Sequence, residues 1–133
     1  MRLLGIDYGK KRVGIAISDD KGMMAFPKAV LPNDNFLFGE IKNLVNGHDI
    51  KKIIIGESKD YKMNDNPIMS HIKAFKNELE RDLGMEVIYE TEILSSHQAS
   101  HFQSKTNMTD ASAASIILQS YIDRTKNKNN LKK

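Results

Sequence analysis

Cutting a phosphodiester bond requires an activated water and a stabilised leaving oxyanion. Two divalent ions about 3.5–4 Å apart supply both when carboxylates hold them. Mg²⁺ prefers oxygen ligands and keeps several waters, so three or four acids drawn from separate elements suffice. This chain has acids at suitable places. Asp7 interrupts "GIDYGKKRVGIAISDD" (5–20), a run that otherwise alternates like a buried hairpin. A carboxylate at that depth costs several kcal/mol unless something compensates it. Asp110 opens a helical pattern in which Ala113, Ala114, Ile117 and Tyr121 follow at helical spacing, so Asp110 turns toward the packed face. Glu57 closes the apolar run "KKIIIGE", and Glu92 follows the last strand pattern.

Taken singly, each acid has a plainer explanation. Asp7 can form an Asx turn before Gly9. Asp110 suits the positive end of a helix, and Glu92 alone reads as a surface acid. Three bases, Lys10, Lys11 and Arg12, stand just after Asp7. They suit phosphates, whose contacts position a substrate without reading its sequence; otherwise they make a solvated turn. Ser95, Ser96 and His97 have no G-x-S-x-G elbow or ordered triad around them. His71 and His101 read as surface helix residues and not as metal ligands.

Elements must hold these groups. Leu3–Asp7 and Arg12–Ser18 read as strands, the second alternating Val13, Ile15 and Ile17 with small residues. A "DDKG" turn leads to a third strand, Met23–Val30, marked as an edge by Pro27. Asp34 is expected to cap a helix whose face carries Leu37, Ile41, Leu44 and Val45, ending at Gly47. Residues 51–57 read as a strand buried on both faces. Asn66-Pro67 then reads as a cap with proline at the first helical position, before the stripe Ile68, Ile72, Phe75, Leu79 and Leu83 that closes at Gly84. Glu86–Tyr89 is a fifth strand, a short polar helix is expected near 95–103, and the last helix spans about Thr109 to Thr125. The order β-β-β-α-β-α-β-α, with right-handed crossovers, predicts a mixed α/β sheet of order 3-2-1-4-5 flanked by helices.

The 133 residues fit one domain. They contain no cysteine, which excludes thiolate metal sites and suits a reducing cytoplasm. The apolar stretch Leu3–Ile6 breaks at Asp7, unlike a signal peptide, and no run is long enough to span a bilayer. Four lysines of the end "KNKNNLKK" account for the excess of base. Without them, 16 of the 20 basic residues face 17 acids. The expected organisation is a domain over 1–125 and a disordered basic tail over 126–133.

Three segments resemble the YqgF/RuvX family. "LLGIDYGKKRVGIAISD" matches that family's GIDYG-x-KR-x-G-x-A-x-SD signature, "TEILSSHQA" (91–99) its D-E-R-L-S/T segment, and "DASAASIILQSYI" (110–122) its D-A-x-AA-x-x-L-Q-x-Y-L helix. The resemblance implies a ribonuclease H-like fold. It also implies a metal-dependent nuclease maturing the 5′ end of pre-16S ribosomal RNA, or in an older assignment a Holliday-junction resolvase. By the same resemblance Asp7, Glu92 and Asp110 hold Mg²⁺ or Mn²⁺, two ions, while Lys10, Lys11 and Arg12 bind nucleic acid. Pre-ribosomal RNA is the favoured partner, with a DNA junction as the alternative, no membrane, and a monomer or weak homodimer.

The chain departs from the family pattern in two places. Thr91 and Ile93 replace an Asp and an Arg around the glutamate, and "GESKDYKMNDNP" stands where G-L-P is usual. The lost arginine raises a second reading, a nucleic-acid-binding module with weakened chemistry. Glu57 raises a question about the third ligand, since strand four should lie beside strand one. Motif matching favours Glu92. Adjacency favours Glu57, because Glu92 must reach inward from beyond strand four after a bend at Tyr89. A third reading, an actin- or sugar-kinase-like ATPase, needs a second domain that 133 residues do not supply.

Overall fold

The computed structural model describes residues 1–59, 67–93 and 109–131; side chains at 58, 59, 92, 93, 109, 110 and 127–131 are not described. Its elements are β1 (Arg2–Tyr8), β2 (Arg12–Ser18), β3 (Ala25–Pro32), α1 (Leu37–Gly47), β4 (Ile50–Lys59), α2 (Met69–Leu83), β5 (Val87–Ile93) and α3 (Thr109–Leu131). The helix expected near 95–103 lies outside the described residues, as does Asn66.

The sheet has the expected order, β3-β2-β1-β4-β5. β1 pairs antiparallel with β2 and parallel with β4, which pairs parallel with β5. The C-terminal ends of β1, β4 and β5 therefore share one edge of the sheet. Strand alternation divides the core in two. Leu4, Ile6, Val13, Ile15, Ile53 and Ile55 pack under α1 and α2, while Leu3, Ala16 and Ile54 pack under Ala114, Ile117, Leu118 and Tyr121 of α3. Interior β4 presents isoleucines to both layers, and Ile53, Ile54 and Ile55 are fully buried. Each such side chain contributes about 1.5–3 kcal/mol of apolar burial.

Several boundaries differ from the sequence reading. β3 starts at Ala25, not Met23, because the Asp19 carboxylate accepts the Met23 and Met24 amides and holds 19–24 as a loop. Pro27 does sit on the edge strand, beside a bulge where Lys28 is extra between Ile15–Ala29 and Ala16–Pro27. Asp34 does not cap α1 in the expected way. Its side chain accepts the amide of Phe36, two residues on, in an Asx turn, and the helix begins at Leu37. Similarly, Pro67 precedes α2 by two residues, and the helix begins after Ile68. Gly84 ends α2 with φ 61°, its amide donating to the Glu80 carbonyl. β5 runs on to Ile93, and α3 continues past Thr125 to Leu131. No glycine or proline interrupts 109–131, so the stretch read as a loose tail begins as helix.

Candidate nuclease site

Asp7 lies on the face covered by α3. Leu3 belongs to the α3 layer, and a Cβ at Gly5 would come within 2.8 Å of the Leu118 Cβ and 3.0 Å of the Ala114 carbonyl. Position 7 continues that parity, and Tyr8 turns the other way to meet the Phe75 ring, centroids 5.1 Å apart. Glycine at position 5 is thus what lets the helix close directly onto the central strand.

The helix runs opposite to β1. Gln119 accepts the Ala25 amide and donates to the Met23 carbonyl. Ala25 pairs with Ser18, near the N-terminal end of β1. The first turn of α3 therefore points to the C-terminal end of β1. Four residues back from Ala114 advance the helix about 6 Å, and two residues on from Gly5 advance the strand about 6.7 Å. Position 110 comes level with position 7. The side chains of Asp110 and Glu92 are among those not described.

The register distinguishes the two glutamate candidates. Ile53 and Ile55 lie in the α1/α2 layer, and Glu57 continues their parity. Its carboxylate accepts the Thr91 hydroxyl at 2.8 Å. Glu57 is thus on the face opposite Asp7, and its nearness along the sheet does not bring the two carboxylates to one side. Position 92 pairs with Ser58 and shares the parity of Ile88, which packs on the α3 layer. No bend after Tyr89 is needed, because β5 itself carries position 92 to the common edge.

Glu90 was not anticipated. It is buried on the α3 face, where it takes the Ser120 hydroxyl at 2.9 Å and Arg124 Nη2 at 2.7 Å. That pairing holds the Arg124 guanidinium above its ordinary pKa. Glu90 pins α3 to β5. Its partners lie ten and more residues beyond the helix start, and the pairing serves the packing of α3 on β5. Glu90 shares its residue type and its face with position 92; its bonds to Ser120 and Arg124 are what mark it as a packing group.

Lys10, Lys11 and Arg12 are exposed on the turn that joins β1 to β2 at the same edge. A Cβ at Gly9 would sit 2.5 Å from the Arg12 carbonyl, so the tight turn requires glycine. Asn33 holds the turn from outside. Its side-chain amide donates to the Gly9 carbonyl at 2.7 Å, and its backbone amide to the Lys11 carbonyl at 2.9 Å. The sequence signal for Asn33 is only an Asx residue after a strand, which is why it was missed.

Among the described residues no group of three or more His, Cys, Asp or Glu side chains comes together as a metal site; two of the three expected ligands have side chains outside that set. The donor set still fits a hard cation, since all three are carboxylates and the chain has no cysteine. Among the described residues no helix is long and apolar enough to cross a membrane.

Such a sheet, of order β3-β2-β1-β4-β5 with a helix packed on the central strand, is the ribonuclease H-like architecture. The structure of RuvC from Thermus thermophilus bound to a Holliday-junction substrate shares this fold, with a TM-score of 0.61 at 13% identity over 94% of this chain and 96% of that one. The chain belongs to the RuvX family, described as Holliday junction resolvase, whose model matches residues 1–124. A protein of Syntrophus aciditrophicus named "Putative pre-16S rRNA nuclease" is 33% identical over 92% of this chain and 89% of its own length. One of Streptococcus uberis with the same name is 30% identical over 94% and 99%. The family description and these names agree on phosphodiester hydrolysis.

Proposed function

We propose that this chain is a metal-dependent nuclease in which Asp7, Glu92 and Asp110 are the catalytic carboxylates. The observation that supports this reading best is the level meeting of positions 7 and 110 across the Gly5 contact, on the face to which position 92 also belongs. These acids would hold Mg²⁺ or Mn²⁺, as two ions, and such ions supply water activation and leaving-oxyanion stabilisation. Lys10, Lys11 and Arg12 hold the phosphates flanking the scissile bond, and Asn33 fixes the turn that presents them. With the helix and turn held, the carboxylates need little reorganisation when substrate arrives.

The substrate we favour is pre-ribosomal RNA, cut at the 5′ end of pre-16S, because the relatives that match nearly end to end carry that name. Action in the cytoplasm follows from that substrate and suits a chain without cysteine. A four-way DNA junction is the second reading, and the family description favours it. A Mg²⁺- or Mn²⁺-dependent cleavage assay decides between them, with pre-ribosomal RNA, unstructured RNA and a four-way junction side by side. Preferential cutting of the precursor is expected; cutting of the junction alone would transfer the assignment to resolvase. Binding without cutting of any of the three would leave the weakened module that Ile93 suggests.

A further inference from the structure

We infer that a cleft on the opposite face of the sheet from Asp7 is a base-binding pocket, with guanine as its best-fitting occupant. The cleft holds about 260 Å³ and is walled by Tyr8, Phe38 and Phe75, with Asn33, Asp34 and Glu78 at its polar side. Ligand pockets usually start near 300 Å³, so this one takes a single base and not a dinucleotide. Among the described residues no lysine, arginine or histidine lines it. The carboxylates of Asp34 and Glu78 disfavour a phosphate, leaving the uncharged edge of a base as the group that fits.

Place and chemistry agree. Tyr8 directly follows Asp7 and, by strand alternation, faces away from it. Asn33 lines the cleft while its amide holds the Gly9 carbonyl of the basic turn. A strand whose phosphates lie on Lys10 and Lys11 therefore passes the mouth of the cleft. Tyr8 is braced by Phe75 at 5.1 Å, and Phe38 packs on the same layer; such rings offer stacking surfaces to an unstacked base. Carboxylates only accept hydrogen bonds. Guanine presents adjacent N1–H and N2–H donors, a match for the half-buried Glu78 carboxylate. Adenine and cytosine set an acceptor beside their amino group and would meet repulsion.

This inference rests on the nucleic-acid reading above, and its test needs no catalysis. Guanosine and inosine 5′-monophosphate, which differ only in the N2 amino group, are titrated into the full chain without metal, followed by NMR shifts of the Tyr8 and Phe38 rings. Saturable guanosine monophosphate binding, about tenfold tighter than inosine monophosphate, is expected. Glu78→Gln should remove that difference while retaining both ligands, and Phe38→Ala should weaken both. Asp7→Asn should bind as the unaltered chain does. Absence of saturable shifts at these rings, or equal affinity for both nucleotides, would overturn the pocket while leaving the cleavage assay to judge the nuclease reading. Base discrimination combined with no cleavage of any substrate would uphold the pocket and reject the nuclease.

Discussion

In the proposed site, Asp7 and the bases three to five residues after it divide the work. Replacing Asp7 or Asp110 by Asn should abolish cleavage with the fold retained, because a lost ligand misplaces the ions by enough to stop in-line attack. Single-turnover rates with circular dichroism check both halves of that statement. Retained cleavage by either variant would remove that acid from the site. Lys11→Ala with Arg12→Ala should weaken binding of any nucleic acid and lower the slope of log affinity against log salt by about two. Equal slopes would take these residues off the substrate path. At this scale the sequence is informative about residue types and about the facing of Asp110, but not about which glutamate shares the face of Asp7. The motif picked out Asp7, Glu92 and Asp110, yet only alternation along β4 and β5 shows that Glu57 and position 92 belong to opposite faces. Asn33 and Glu90 escaped notice because their partners lie 24 and 30 or more residues away.

Among the elements, α3 governs the site through its seat on β1. Gly5→Val should cost about 1–3 kcal/mol from overpacking, since even a Cβ meets Leu118 at 2.8 Å. It should also lower the cleavage rate more than that stability loss explains, because the displaced helix carries position 110 away from position 7. Urea unfolding and single-turnover cleavage at equal folded fraction separate the two effects. The β2–β3 loop shows a different dependence. Amides of Met23, then against slight burial Met24, hold the Asp19 carboxylate below its ordinary value of 3.8. Its folded pKa is depressed, so its stabilisation is complete above 3.8 and fades as pH falls through the lower folded value. The difference in urea midpoint between the unaltered chain and Asp19→Ala should therefore be larger at pH 6 than at pH 2.5. An unchanged difference would mean that the loop is held by something other than the charge. Strand existence and order followed from apolar runs and crossover handedness; the ends did not. Side-chain hydrogen bonds from Asp19 and Asp34 moved two starts, and the lack of any helix breaker lengthened α3.

As a whole molecule, the chain is two apolar layers on one sheet, with its candidate chemistry gathered at a single edge. The excess of positive charge lies elsewhere, in four lysines after residue 125. Because these follow Ile122 and Arg124, through which α3 packs on the sheet and pairs with Glu90, deleting 126–133 should leave metal-dependent cleavage intact. A complete loss would make this segment an essential arm for the substrate. The claim on which the rest depends is that the carboxylates of one face form the site. Glu92→Gln and Glu57→Gln test it most directly, through Mn²⁺ affinity and single-turnover cleavage of the best substrate measured for each. The α3-face assignment predicts that Glu92→Gln loses metal affinity and nearly all cleavage while Glu57→Gln keeps both. Full activity in Glu92→Gln beside an inert Glu57→Gln would contradict it and place the third ligand on β4.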